Sequence, residues 1–126
     1  MKIAQIEPMA IVEPGGRSYI LLKTATDEGL TGYGEAPANH DPQEVVARLS
    51  QELTPLRGQD PGRVLRLDQL LREAGASHAA RAAFNVSLLD ILGKSVRAPL
   101  YEVLGGPTRN KARAMAVVEG ASTGAL

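Results

Sequence analysis

The chain has 126 residues and a mass of 13.3 kDa, enough for one domain and too little for a second of full size beside it. Fourteen Lys plus Arg balance fourteen Asp plus Glu, so no positive field exists to hold a nucleic-acid backbone or an anionic membrane, and neither is expected as a partner. A hydrophobic share of 44% and a charged share of 22% are those of a folded globular chain, and the lack of cysteine excludes disulfides, thiolate metal sites and cysteine nucleophiles.

The first third reads as strands. The N-terminal MKIAQIEPMAIVE alternates apolar and polar residues, without the unbroken apolar core of a signal peptide. No stretch anywhere approaches the ~20 apolar residues that span a bilayer, and the expectation is a soluble, cytoplasmic protein. Ile3, Ile6 and Met9 to Val12 form an apolar stretch containing Pro8, which lacks an amide donor and predicts an edge strand. Pro14-Gly15-Gly16-Arg17 is turn chemistry, and Ser18 to Thr26 (SYILLKTAT) is a β-rich run that ends at Asp27-Glu28-Gly29. Leu30 to Ala36 (LTGYGEA) makes a third short strand, whose Gly32 and Gly34 predict a bend or the close approach of another backbone. The pattern is a three-stranded antiparallel meander.

The period changes at Asp41. Asp41-Pro42-Gln43-Glu44 sets a capping carboxylate, a proline at the first helical position and a glutamate at the third, ahead of Val45, Val46, Leu49 and Leu53. Pro55 and Gly58 end that helix. Asp60-Pro61 repeats the cap-then-proline start for a second helix carrying Val64, Leu67, Leu70 and Leu71, closed by Gly75. Ser77 caps a third, running to about Lys94, with apolar residues on almost its whole circumference, which predicts burial on several sides. Asp90 and Lys94 stand in the favourable order for an intrahelical ion pair. Pro99 and Gly105 bracket a short helical segment, PLYEVL. Ala112 to Val118 (ARAMAVV) then reads as a strand without a sequence neighbour to pair with, and GASTGA at residues 120–125 as a loop after it. With one Phe, three Tyr and no Trp, the core must be aliphatic.

There is no Walker A loop, no G-x-G-x-x-G, no H-E-x-x-H and no G-x-S-x-G. Gly32-Tyr33-Gly34 lacks a third glycine and opens no helix, so it is not a dinucleotide fingerprint.

Three segments in this order resemble the N-terminal part of the enolase superfamily, in its mandelate racemase and muconate lactonizing enzyme branch. They are LLKTATDEGLTGYGEA at Leu21 to Ala36, AAFNVSLLDILGKSVRAPLYEVLGG at Ala82 to Gly106, and GQDP at Gly58 to Pro61, the last similar to acid-sugar dehydratase members. Against the family pattern, an acid on the long helix is Asn85, a tryptophan there is Leu89, and the residue between the two glycines is Tyr33 rather than tryptophan.

The resemblance implies an α+β fold: a three-stranded antiparallel meander followed by a helical bundle forms a capping domain over residues 1–108, and residues 109–126 hold the first strand of a truncated (β/α) barrel. It implies a parent enzyme that abstracts a proton beside a carboxylate with Mg²⁺ assistance, a lyase or isomerase, with acid-sugar dehydration ahead of racemisation or cycloisomerisation. The catalytic and metal-binding residues would lie beyond Leu126, so this chain alone is expected to bind no Mg²⁺ and to turn nothing over. Its own contribution would be two connections that shape specificity for a small carboxylate substrate. Glu13 to Ser18 carries Arg17, whose guanidinium suits an anion, and leads into Tyr19; Glu35 to His40 carries His40, whose imidazole would reach a substrate. Glu35 alone is expected to make a structural hydrogen bond rather than hold a metal. The rival reading is a self-standing α+β binding or oligomerisation module, and a homo-oligomer is open under either.

Overall fold

The computed structural model describes residues 1–37 and 41–115. Three strands, β1 (Ile3–Val12), β2 (Ser18–Thr26) and β3 (Thr31–Ala36), form one antiparallel sheet in the order β1-β2-β3. The helices α1 (Pro42–Leu53), α2 (Val64–Glu73), α3 (His78–Ser95) and α4 (Leu100–Val103) follow in that order.

Pro8 lies on an edge strand, as its missing donor requires. The register sets it opposite Leu22, whose backbone groups turn toward Gly34 of β3, so the amide that Pro8 lacks would have pointed to the open edge. The first hairpin turn is locked by Glu13 N donating to Arg17 O and Gly16 N to Glu13 O, with Gly16 at φ +80°. The second is closed by Thr26 N donating to Leu30 O, which leaves Leu30 in the turn.

One face of the sheet is buried. Ile20, Leu22, Thr24 and Thr26 of β2 point to the helices together with Ile3 and Ile6 of β1, and meet Leu49, Leu53, Leu67, Phe84 and Leu88. α3 lies directly on β3. A Cβ at Gly32 would stand 2.0 Å from Ser87 O, and one at Gly34 2.0 Å from Ala83 O, so only glycine lets helix backbone reach strand backbone here.

The helix ends follow local chemistry in most places. Asp41 Oδ1 accepts from Gln43 N (2.9 Å) and Glu44 N (3.2 Å), and Ser77 Oγ accepts from Ala80 N (3.2 Å). α2 ends in a Schellman arrangement, with Ala76 N donating to Leu71 O and Gly75 N to Arg72 O. α3 ends the same way with Arg97, at φ +55°, where glycine is usual.

Asp60 is a correction. It does not cap α2, which starts at Val64 with no side-chain cap on Arg63. Its Oδ1 accepts from Gly62 N (2.9 Å) and its carbonyl from Arg63 N, making a separate turn in which Pro61 is buried. The preceding Gly58 and Gln59 pair with β1, since Gly58 N donates to Ile3 O and Gln59 O accepts from Ile3 N. The GQDP segment therefore finishes the sheet edge at Ile3.

α3 is buried toward the sheet and α2, with α1 and α4 packed against it as well. Ala82 and Val86 face outward, the latter 51% exposed, so the burial on several sides expected from its composition leaves one strip of the helix open. Residues 111–115 have no regular secondary structure and are exposed, and the rest of the expected Ala112 to Val118 strand lies outside the described residues, as does the 120–125 loop.

Candidate functional site

The register decides which connections share an end of the sheet. Val12 pairs with Ser18, and Ile20 two residues further pairs with Ala36, the last residue of β3. The β1–β2 turn and the exit from β3 at Ala36 are therefore neighbours.

Arg17 is exposed in the first turn, where its carbonyl closes the hairpin and its guanidinium has no partner among the described residues. Tyr19 is half-buried in β2 opposite Ile11, on the sheet face turned away from the helices, because its neighbour Ile20 points into the core. His40 lies outside the described residues. Glu35 is exposed and has no hydrogen-bond or ionic partner among the described residues, contrary to the structural bond expected of it.

A cleft of about 440 Å³ lies beside this end, lined by Pro37, Glu44, Arg48, Leu49, Ser77 and Ala79. Behind it Arg48 Nε donates to Glu52 Oε1 (2.9 Å) and the Ser77 hydroxyl to Glu52 Oε2 (2.7 Å). Burial by itself would push the Glu52 carboxyl up, but these donors outweigh it and hold the group below its ordinary value. Sequence reading recognised Ser77 as a cap and missed its second bond, because Glu52 is 25 residues away.

A second polar cluster ties α2 to α3. Asp68 accepts from Arg81 Nε (2.9 Å) and Nη2 (3.0 Å), from Arg72 Nη2 (3.0 Å) and from Asn85 Nδ2 (3.3 Å). The Arg81 hydrogen bonds hold its carboxyl down at about 2 against burial, which acts the other way. An acid at position 85 would confront this carboxylate, so asparagine there fits Asp68, while its Oδ1 is buried without a partner among the described residues.

Two further carboxylates are similarly committed. Asp41 serves the amides of α1, and Asp90 accepts from Tyr33 N and Lys94. Among the described residues no three acidic or imidazole groups gather where a cation could sit, so they do not provide the donor set for the Mg²⁺ implied for a parent enzyme.

A meander backed by helices on one face, with its first turn and the exit of its last strand at one end, is an α+β domain. Residues 4–105 match the family described as "Mandelate racemase / muconate lactonizing enzyme, N-terminal domain". A D-mannonate dehydratase of Xanthomonas oryzae pv. oryzicola is 39% identical over 114 residues, covering 85% of this chain and 27% of that protein. The D-galactonate dehydratase family member RspA of Cellvibrio japonicus is 36% identical over 118 residues, covering 88% and 29%. Among solved structures, an enolase from Agrobacterium radiobacter with bound sodium and L-malate superposes with a TM-score of 0.76 at 29% identity, covering 86% of this chain and 29% of that one. A muconate cycloisomerase from Azorhizobium caulinodans gives a TM-score of 0.76 at 30% identity, covering 85% and 31%.

The chain belongs to the mandelate racemase and muconate lactonizing enzyme family of the enolase superfamily, and what it contains is that family's N-terminal capping domain. It spans less than a third of the length of these relatives. No helix among the described residues is long and apolar enough to cross a membrane.

Proposed function

We propose that the chain is the specificity cap of a cytoplasmic acid-sugar dehydratase, and that it forms one wall of the substrate pocket without supplying the reacting groups. The convergence of the β1–β2 turn with the exit of β3 carries this reading, since a cap acts through loops presented together at one end. The names of the relatives, one a D-mannonate dehydratase and one a D-galactonate dehydratase family member, favour acid-sugar dehydration over racemisation or cycloisomerisation.

In this reading residues 1–108 are the cap and residues 109–126 lead into a (β/α) barrel. The barrel would hold the base and the Mg²⁺ that stabilises the charge developing on the substrate carboxylate as the proton leaves. Arg17 is the anion-facing group of the first segment: it is exposed and has no partner among the described residues, and its guanidinium suits a carboxylate in a forked pair. Tyr19 borders the same end, and His40 is assigned the corresponding place on the second segment. The outward Val86 on α3 and the exposed Val96, Tyr101 and Leu104 after it favour a cap that covers these residues with further protein over a self-standing module.

The test is steady-state kinetics on this cap joined to its natural C-terminal continuation, over a panel of sugar acids with Mg²⁺. Arg17→Ala is expected to raise KM about tenfold or more for the preferred acid and to change kcat less, the mark of a binding group outside the chemistry. If the joined protein dehydrates none of the acids, the substrate class is wrong. If Arg17→Ala leaves KM unchanged while the wild type is active, the assignment of Arg17 is wrong. The 126-residue chain alone should not exchange a carbon-bound hydrogen of any of these acids with deuterated solvent.

A further inference from the structure

β3 is an edge strand, and its odd-numbered residues turn their backbone groups away from β2. Tyr33 N donates outward to Asp90 Oδ2 at 3.0 Å, and Thr31 O accepts from Lys94 Nζ at 2.7 Å. The two side chains are joined to each other at 2.8 Å, and the ammonium also stands 5.4 Å from the centre of the Tyr33 ring. An accepting carbonyl followed two residues later by a donating amide is what β3 would offer to a single residue of a parallel neighbouring strand. Asp90 and Lys94 occupy those places. An ordinary i,i+4 pair needs neither backbone bond, so the spacing within the helix does not account for the arrangement.

We propose that the Asp90–Lys94 pair is a plug for the β3 edge, and that its function is to stop the sheet from extending through β3 of a second copy of this chain. Unpaired edges invite strand addition, and charged side chains are a common means of blocking it. The glycines explain why the plug comes from the helix. Gly32 and Gly34 let α3 lie so close that its next turn overhangs the strand, and they also leave β3 without side chains at those positions to obstruct a newcomer.

The experiment is sedimentation velocity over a concentration series, with amide hydrogen exchange, on the 126-residue chain. Asp90→Ala with Lys94→Ala is expected to associate at concentrations where the wild type does not, and the Glu35 amide, which points to the open edge, should exchange about tenfold more slowly in the associated form. Glu35→Pro added to that double variant removes the edge donor without touching the β2 pairing and should return sedimentation to the wild-type value. Asp90→Asn with Lys94→Gln keeps one acceptor and one donor and should sediment as the wild type does. The proposal is overturned if the double alanine variant folds and sediments as the wild type does, if its association survives Glu35→Pro, or if the Asn/Gln variant associates as the alanine variant does. Should the double alanine variant fail to fold, the Asn/Gln variant and Lys94→Ala alone decide in the same way.

Discussion

The hydroxyls of Thr24 and Ser87 lie 2.8 Å apart inside the apolar interface between β2 and α3, and their proton order follows from one further bond. Ser87 Oγ donates its only hydrogen to Phe84 O at 2.8 Å, so Ser87 must accept from Thr24, and Thr24 is the donor. Both residues are fully buried, which leaves no water to replace either bond. Thr24→Val leaves an unfilled acceptor and Ser87→Ala an unfilled donor, each expected to cost about 1–3 kcal/mol in urea unfolding. The double variant removes both groups and should cost less than the sum of the two, with a coupling of about 1 kcal/mol or more. Additive losses would show that the hydroxyls do not bond to each other.

Gly34 should tolerate no side chain. The nearest atoms to a Cβ there are Ala83 backbone, at 2.0 and 2.9 Å, so relief requires α3 to lift off the sheet. Gly34→Ala and Gly32→Ala are each expected to destabilise by roughly 3 kcal/mol or to abolish folding. Gly15→Ala, where nothing stands within 4 Å, is the control and should stay within about 0.5 kcal/mol of wild type in thermal unfolding.

Acid should loosen the α2–α3 contact late. The Asp68 carboxyl sits at about 2 in the folded chain against an ordinary 3.8, so the folded state favours its ionised form. Its contribution is fully present above the unfolded value and is lost as pH falls from 3.8 toward about 2. Asp68→Asn should cost about 2 kcal/mol at neutral pH and flatten the pH dependence of stability in that window. A wild-type stability that falls no more steeply there than that of the Asn variant would remove Asp68 from this role.

Ser77 has two tasks, and one substitution reads both. Ser77→Ala removes the cap on Ala80 N, worth about 1 kcal/mol, and also the donor to Glu52 Oε2. With burial then opposed mainly by Arg48, the Glu52 carboxyl should titrate higher than in the wild type, as followed by carbon NMR of its side chain. A loss of stability with no movement of Glu52 would leave only the cap.

Much of the architecture was readable from residue order. The edge position of β1 was written in Pro8, the start of α1 in Asp41-Pro42, the start of α3 in Ser77, the stop of α2 in Gly75, and the close helix–strand approach in Gly32 and Gly34. Asp60-Pro61 carried the same signal as Asp41-Pro42 and gave a turn instead, because Gly62 follows and Pro61 is drawn into the core. The two candidate segments, Glu13 to Ser18 leading into Tyr19 and Glu35 to His40, were chosen from residue order, while the shared end of the sheet at Val12–Ser18 and Ala36 came from the strand register. The cleft was not legible in residue order, since Arg48, Glu52 and Ser77 meet only when α1 and α3 pack.

What the chain determines by itself is whatever a few neighbouring residues can satisfy within a turn: caps, hairpin closures, positive-φ glycines and the period of each element. Tertiary structure alone decided that Thr24 bonds Ser87 across 63 residues, that Asp68 grips Arg81, and that Asp90 and Lys94 spend their charges on the backbone of β3. A cap or turn supplies donor and acceptor from the same few residues, so local order betrays it. A buried polar pair between distant segments leaves no periodic trace, because either partner looks like an ordinary surface residue until packing excludes water from both.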